Sequence, residues 1–307
     1  MRQRGVALIM GIVMVAIATV LAVRIGTRTS LDLRRAEGLI ALDQAWLLAL
    51  GAEAWAAEVL RKDREDSRTD HLGERWAQPI PPLPVDGGAI RGALEDMQGR
   101  FNLNNLLGND GKANDDQVRR FERLLALAGA DRRWARIAAD WLDSDTVPGF
   151  PDGAEDGNYL SQSPPYLAAN GPVTTITELM ALPGMTLEEY LRIRPYVAAL
   201  PLGTPINICT ASAAVLEALV EGGADFGDAD ALQANRRDDC FPTLEDMKGR
   251  LGEERLQALA ETISESSGWF RAVTAVSIGT SELTLYSLIE RNTTGGSRTV
   301  LRSTGTE

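Results

Sequence analysis

Polar and apolar positions divide the chain sharply after its first two dozen residues. Val6 to Val23 (VALIMGIVMVAIATVLAV) is an apolar run without a charge or a proline, and about 18–20 such residues cross a bilayer as one helix. Met1-Arg2-Gln3-Arg4-Gly5 precedes the run, and Arg24 and Arg28 follow it. Positive charge at the front end holds that end in the cytoplasm. Beyond Val23 the pattern changes character without stopping. Thr27 to Arg61 contains no proline, and Leu39, Leu42, Trp46, Ala49, Leu50, Ala54, Ala57 and Leu60 recur at three- and four-residue spacing. Arg34, Arg35, Glu37, Asp43, Glu53 and Glu58 fall on the other faces. One helix is predicted from Val6 to about Arg61, roughly 80 Å long at 1.5 Å per residue. A secretory signal cut near Ala22 is the competing reading, and the helical pattern running past that point argues against it.

After this helix, Gln78 to Pro84 (QPIPPLP) reads as a proline-rich break. Gly88–Asp96 and Arg100–Leu103 read as short strands around a turn at Gln98-Gly99. A helical pattern follows at Gln117–Ala128, Arg132–Leu142, Ile176–Leu182, Leu187–Leu200, Ser212–Val220, Ala229–Arg236 and Thr243–Ser264, the last in two pieces. Phe270–Ile278 and Thr284–Glu290 then alternate as strands about Gly279-Thr280-Ser281. The predicted class is α+β: a long N-terminal helix packed on a small antiparallel sheet, with a large all-α domain inserted between strands. The segments are 6–23 in the membrane, 24–61 amphipathic, 62–104 with 268–307 as the α/β domain, and 105–267 as the insertion.

Composition narrows the chemistry. The 307 residues carry 31 Lys+Arg against 43 Asp+Glu, a formal charge of −12, which disfavours a phosphate-binding surface. One His and two Cys leave little for zinc or His-based catalysis, and no Gly-rich phosphate loop or HExxH occurs. No enzyme activity is expected. The densest acidic cluster is Asp140, Asp143, Asp145, Glu155 and Asp156. A short acidic loop after a helix can supply the six to eight oxygens that calcium takes. Pro148 stands where an EF-hand has its glycine, so the loop is no EF-hand. It can equally be a solvated loop in which Asp143 or Asp145 caps a helix. The run Asn109–Asp116 reads as a turn with Asn114 or Asp115 as helix cap. Cys209 and Cys240 permit one disulfide, or stay as two buried thiols.

Several stretches carry a resemblance. Arg4-Gly5-Val6-Ala7-Leu8-Ile9 resembles a prepilin peptidase site, with cleavage between Gly5 and Val6. The fifth mature position, usually Glu in such proteins, is Met10. Asp70–Ala77 (DHLGERWA), Gln98–Asn104 (QGRFNLN), Asp140–Asp145 (DWLDSD), Gly153–Asp156 (GAED) and Tyr166–Asn170 (YLAAN) resemble, in order, the K-type minor pseudopilins of the type II secretion system. That resemblance implies a pilin-like fold anchored once in the bacterial inner membrane, with the C-terminal domain in the periplasm. It also implies methylation of the mature N-terminus, and calcium held in the inserted domain by residues among Asp140, Asp143, Asp145, Glu155 and Asp156. The implied partners are the I- and J-type minor pseudopilins, the major pseudopilin and the prepilin peptidase, with no nucleic acid. The implied role is the tip of a periplasmic pseudopilus that helps export folded proteins across the outer membrane. Two further stretches, Leu182–Met185 (LPGM) and Pro205–Ile208 (PINI), resemble pieces of helix-hairpin-helix units. They supply the rival reading, a membrane-anchored type IV pilus tip or DNA-uptake protein. Both lack the Lys and Arg that such DNA binding uses.

Overall fold

A computed structural model of the chain describes residues 4–236 and 239–304, with side chains from Val6 onward. Helix α1 (Arg4–Asp66) is one uninterrupted helix of 63 residues, about 95 Å long by the α-helical rise. Its mean hydropathy peaks at 2.9 in the N-terminal part, long and apolar enough to cross a membrane. Val6 to Glu37 is exposed throughout. Met1–Gln3, the first residues of the expected leader, lie outside the described residues.

The second half of α1 lies on a five-stranded antiparallel sheet of order β1-β2-β7-β8-β9. Its strands are β1 (Leu83–Val85), β2 (Gly88–Asp96), β7 (Trp269–Ile278), β8 (Ser281–Arg291) and β9 (Ser297–Thr304). Ala45 and Ala49 pack on Val276, Ile278 and Leu285, while Ala56 and Leu60 pack on Trp76, Phe270, Ala272 and Ile289. The stripe that touches the sheet is therefore rotated from the predicted one. Leu39, Leu42 and Trp46 remain exposed. Small alanines allow the helix axis to approach the sheet, and the larger side chains are left on the open face. A buried Glu53 fixes α1 to the last strand: its carboxylate accepts from Arg302 at 2.8 and 2.7 Å and from Ser287 Oγ at 2.5 Å. Burial alone would raise the Glu53 carboxyl more than any one partner lowers it, but the hydrogen bonds from Arg302, Ser287 and Thr299 and the Arg302 charge together hold it below its ordinary range.

Between β2 and β7 the chain forms a helical block. It comprises α2 (Asp115–Leu127), α3 (Arg133–Leu142), α4 (Asp156–Leu160), α5 (Leu187–Ile193), α6 (Ala213–Ala218), α7 (Ala229–Asn235), α8 (Leu244–Leu251) and α9 (Glu253–Gln257). Two short parallel ladders close it: β3 (Phe101–Asn102) with β4 (Val197–Ala198), and β5 (Ile206–Asn207) with β6 (Ile263–Ser264). One core runs through the block from Phe101 to Ile263, with Phe121, Trp134, Tyr159 and Leu216 fully buried. A disulfide joins Cys209 to Cys240, with S–S 1.92 Å and Cα–Cα 4.7 Å.

Several predicted elements are cut shorter by identifiable residues. The helix expected over Leu187–Leu200 stops at Ile193. Pro195 then sits in a 3-10 turn, and Val197–Ala198 becomes a strand. The Thr243–Ser264 helix divides at Gly252, which has φ +82°, and ends in β6. Arg100–Leu103 supplies β3, which pairs away from the main sheet. The proline-rich break gives way to edge strand β1, a position that tolerates Pro84.

The stretch Gln98–Asn104 ties the block to the sheet through buried amides. Asn104 Nδ2 donates to Val173 O and Leu200 O, and its Oδ1 accepts from Val173 N–H. Asn102 Oδ1 accepts from Leu200 N–H. Asn207 Nδ2 lies 2.9 Å from each of Asp70 O, Asp96 Oδ2 and Ser267 Oγ. A buried amide without such partners would be costly, so these bonds fix the junction geometry.

Candidate metal centre

The acidic loop begins where α3 ends. Trp134, Ala135, Ala138 and Leu142 bury one face of α3, which places Asp140 and Asp143 at its inner C-terminal end. The chain loops out and returns at Glu155 to start α4, against Trp141 and Tyr159, whose rings are 5.0 Å apart. One oxygen each of Asp143, Asp145 and Glu155 comes within 4.8 Å of the others. Asp143 and Glu155 are buried. Asp143 Oδ1 and both carboxylate oxygens of Glu155 have no hydrogen-bond partner.

The electrostatics follow from that gathering. Burial, then repulsion from Asp145 and Asp140, pushes the Asp143 carboxyl up to about 6. Burial, then Asp140, Asp143 and Asp145, pushes Glu155 up to about 7. Three converging carboxylates, two of them with orphaned buried oxygens, and no nitrogen or sulfur donor among them suit a hard divalent cation such as calcium.

The other two predicted residues are engaged elsewhere. Asp140 Oδ2 accepts from Gly149 N–H at 2.8 Å, and burial raises its carboxyl. Asp156 Oδ1 accepts from Ala168 N–H at 3.1 Å. Asp140 thus organises the loop. A Cβ added to Gly153 would stand 2.2 Å from Asp140 Oδ2, and one on Gly149 would stand 2.4 Å from Arg136 Cδ. Asn170, at the end of the Tyr166–Asn170 stretch, brings a further buried oxygen without a partner. Its N–H donates to Trp141 O, two residues before Asp143. An asparagine oxygen gave no separate signal beyond its place in that stretch.

A second trio, Asp63, Asp70 and Glu74, also brings its oxygens within 4.8 Å of one another. Arg291 pairs with two of its three members. Its Nη1 donates to Asp63 Oδ2 at 2.9 Å and to Leu60 O, and its Nη2 to Asp70 Oδ1 and Ser267 O. The guanidinium carbon lies 4.7 Å from the Phe270 ring centre. Glu74 accepts from Trp76 Nε1 at 2.7 Å. No local sequence pattern announces this cluster, because Arg291 lies more than two hundred residues from its acidic partners.

Elsewhere, Asn114 caps α2, accepting from Asp116 and Gln117 N–H. Leu182–Met185 leads from a 3-10 turn into α5 with Gly184 at φ +82°. Pro205–Ile208 contributes β5, with Ile206 and Ile208 buried in the core.

Residues 99–202 match a family model described as type II secretion system (T2SS), protein K, and residues 206–266 match a second model of the same description. The type II secretion system protein K of Pseudomonas aeruginosa is 36% identical to the chain, covering 99% of it and 93% of the relative. The protein of the same name from Aeromonas hydrophila is 32% identical, covering 94% of the chain and 93% of the relative. Among solved structures, a chain of the GspK–GspI–GspJ complex from the enterotoxigenic Escherichia coli type 2 secretion system superposes with a TM-score of 0.77 at 27% identity. The match covers 89% of this chain and 100% of that one.

Proposed function

The chain belongs to the type II secretion system protein K family and is a minor pseudopilin of that system, and from this premise we propose that it forms the tip of the pseudopilus. The family is a structural component of a secretion machine, and no catalytic step is assigned to the chain. The observation that carries the membrane-anchored, filament-forming part of this reading is the division of α1: an apolar N-terminal stretch, exposed throughout, continues directly into a half that packs on the sheet. Such a helix can leave the bilayer and rebury its apolar surface against neighbouring helices.

In this reading, peptidase cleavage after Gly5 exposes Val6, which is then methylated. The helix anchors the chain once in the inner membrane, and the sheet and helical block stand in the periplasm. The partners are the I- and J-type minor pseudopilins, as in the related complex, with the major pseudopilin below. Met10 offers no carboxylate to the N-terminus of a subunit above, and a block of this size between β2 and β7 is hard to fit between stacked subunits. Both features suit a subunit with nothing on top.

Calcium is the ion proposed for Asp143, Asp145 and Glu155. It would neutralise carboxylates that the chain leaves facing one another, and it would fasten α3 to α4. Intact mass of the mature protein tests the processing. Loss of Met1–Gly5 with a methyl group on Val6 is expected, and cleavage near Ala22 would refute the pilin-like reading. Deletion of the chain is expected to stop release of exported proteins, with the same proteins held in the periplasm.

A further inference from the structure

Phe150 is 90% exposed and Val147 is 72% exposed. They are the two most exposed large apolar side chains among the described residues, above every residue of the membrane-spanning stretch. Both stand at the tip of the loop between α3 and α4, and the backbone there is held in place. Val147 N–H donates to Asp145 Oδ1 at 2.8 Å, Gly149 N–H to Asp140 Oδ2 at 2.8 Å, and Gly153 N–H to Gly149 O at 2.6 Å. The lack of room for a Cβ at Gly149 and Gly153 packs the loop's base tightly against Asp140 and Arg136. These bonds hold the backbone on both sides of Phe150 while its ring stands in water, and apolar surface held in water favours whatever covers it.

Charge indicates what covers it. From Asp140 to Asp156 there is no Lys or Arg, while Asp140, Asp143, Asp145, Asp152, Glu155 and Asp156 are all acidic. Even with a single divalent ion and with Arg136 packed at its base, this segment stays net negative, so an anionic lipid surface would be repelled. We propose that the Val147–Phe150 tip is an anchor that inserts into an apolar pocket with a basic rim on another protein. An aromatic anchor in an apolar socket, ringed by opposite charge, is the arrangement that concentrates binding energy at interfaces. The inference rests on the calcium reading above to the extent that the same carboxylates hold both the ion and the tip.

Cells carrying the full chain provide the test. Phe150→Ser is expected to lower release of exported proteins about tenfold, as for loss of an aromatic anchor, and Phe150→Leu to retain most of it. Asp152→Lys, which reverses part of the acidic rim, is expected to lower release as well. The Phe150→Ser protein should keep its calcium binding and melting temperature. A photoreactive benzoylphenylalanine at position 150 should give a protein adduct that disappears when calcium is chelated. Its crosslinked peptide should carry Lys or Arg beside apolar residues. Normal release by Phe150→Ser, crosslinks to lipid alone, or an acidic crosslinked peptide would overturn the anchor. Failure of the wild-type chain to bind calcium would refute the ion reading separately.

Discussion

Two trios of carboxylates in this molecule have the same spacing and opposite fates. Asp63, Asp70 and Glu74 gather at the end of α1, and Asp143, Asp145 and Glu155 gather at the end of α3. The chain brings its own cation to the first: Arg291 donates to Asp63, Asp70 and two backbone carbonyls. At the second, Asp143 and Glu155 keep buried oxygens without partners. A count of acidic residues would not separate the two. Where the charges are offset by the fold, the cluster is a clasp between α1, β8 and the block, although burial and the nearby Glu74 and Asp70 still push the Asp63 carboxyl up to about 7. Where they are not, the cluster calls for an ion from outside.

The largest expected effect comes from unbalancing the first trio. Arg291→Met strands the buried Asp70 and the half-buried Asp63 carboxylates, which costs about 3–5 kcal/mol by comparison with other broken buried pairs. Thermal melting of the full chain should show a large fall that added calcium does not restore. Opening the disulfide comes next. Cys209→Ser with Cys240→Ser removes a crosslink with a sequence separation of 31, and should cost about 3.7 kcal/mol in the loop-entropy view. Urea unfolding with and without calcium would show whether the loss is confined to the block.

Unbalancing the second trio should act differently. Asp143→Asn with Asp145→Asn is expected to abolish the calcium-dependent stabilisation, about 2.7 kcal/mol at a calcium concentration a hundredfold above Kd, and with it the rise in melting temperature. The metal-free double variant should melt no lower than the metal-free wild type, because repulsion has been removed. A loss of metal-free stability as large as that of Arg291→Met would mean that the two clusters are alike.

The smallest effect is on pH. Asp143 and Glu155 titrate near 6 and 7 in the folded protein, above their ordinary carboxylate range, so the folded state holds protons more tightly than the unfolded state. Their contribution to metal-free stability is fully present below about pH 4 and is lost progressively as pH rises from there through about 6 to 7, with Asp63, pushed up to about 7, acting in the same direction. Melting of the metal-free protein should therefore fall over that window. Calcium affinity should change in the opposite direction, rising as the ligands lose their protons.

The sequence made some of this legible. The apolar run and the stripe after it specify α1, because both rest on local periodicity. The alternation at Gly88–Asp96 marks β2 with its observed bounds. Strand β9 was missed because SRTVLRST mixes polar and apolar residues on an exposed edge, where no buried face imposes alternation. Helix α4 escaped because it is short and contains Gly157. The acidic loop was visible as a cluster of residue types. Which carboxylates converge was not, because Asp140 and Asp156 turn to backbone N–H groups that only the folded loop presents. Arg291 illustrates the same limit, since pairing across two hundred residues leaves no local mark.

The contrast between the two trios is tested most directly by calorimetric calcium titration of the metal-stripped, detergent-solubilised full chain. Saturable binding is expected for the wild type, weakened at least about 100-fold by Asp143→Asn with Asp145→Asn, which removes two of three anionic ligands. Absence of binding by the wild type, or undiminished binding by the double variant, would contradict the account.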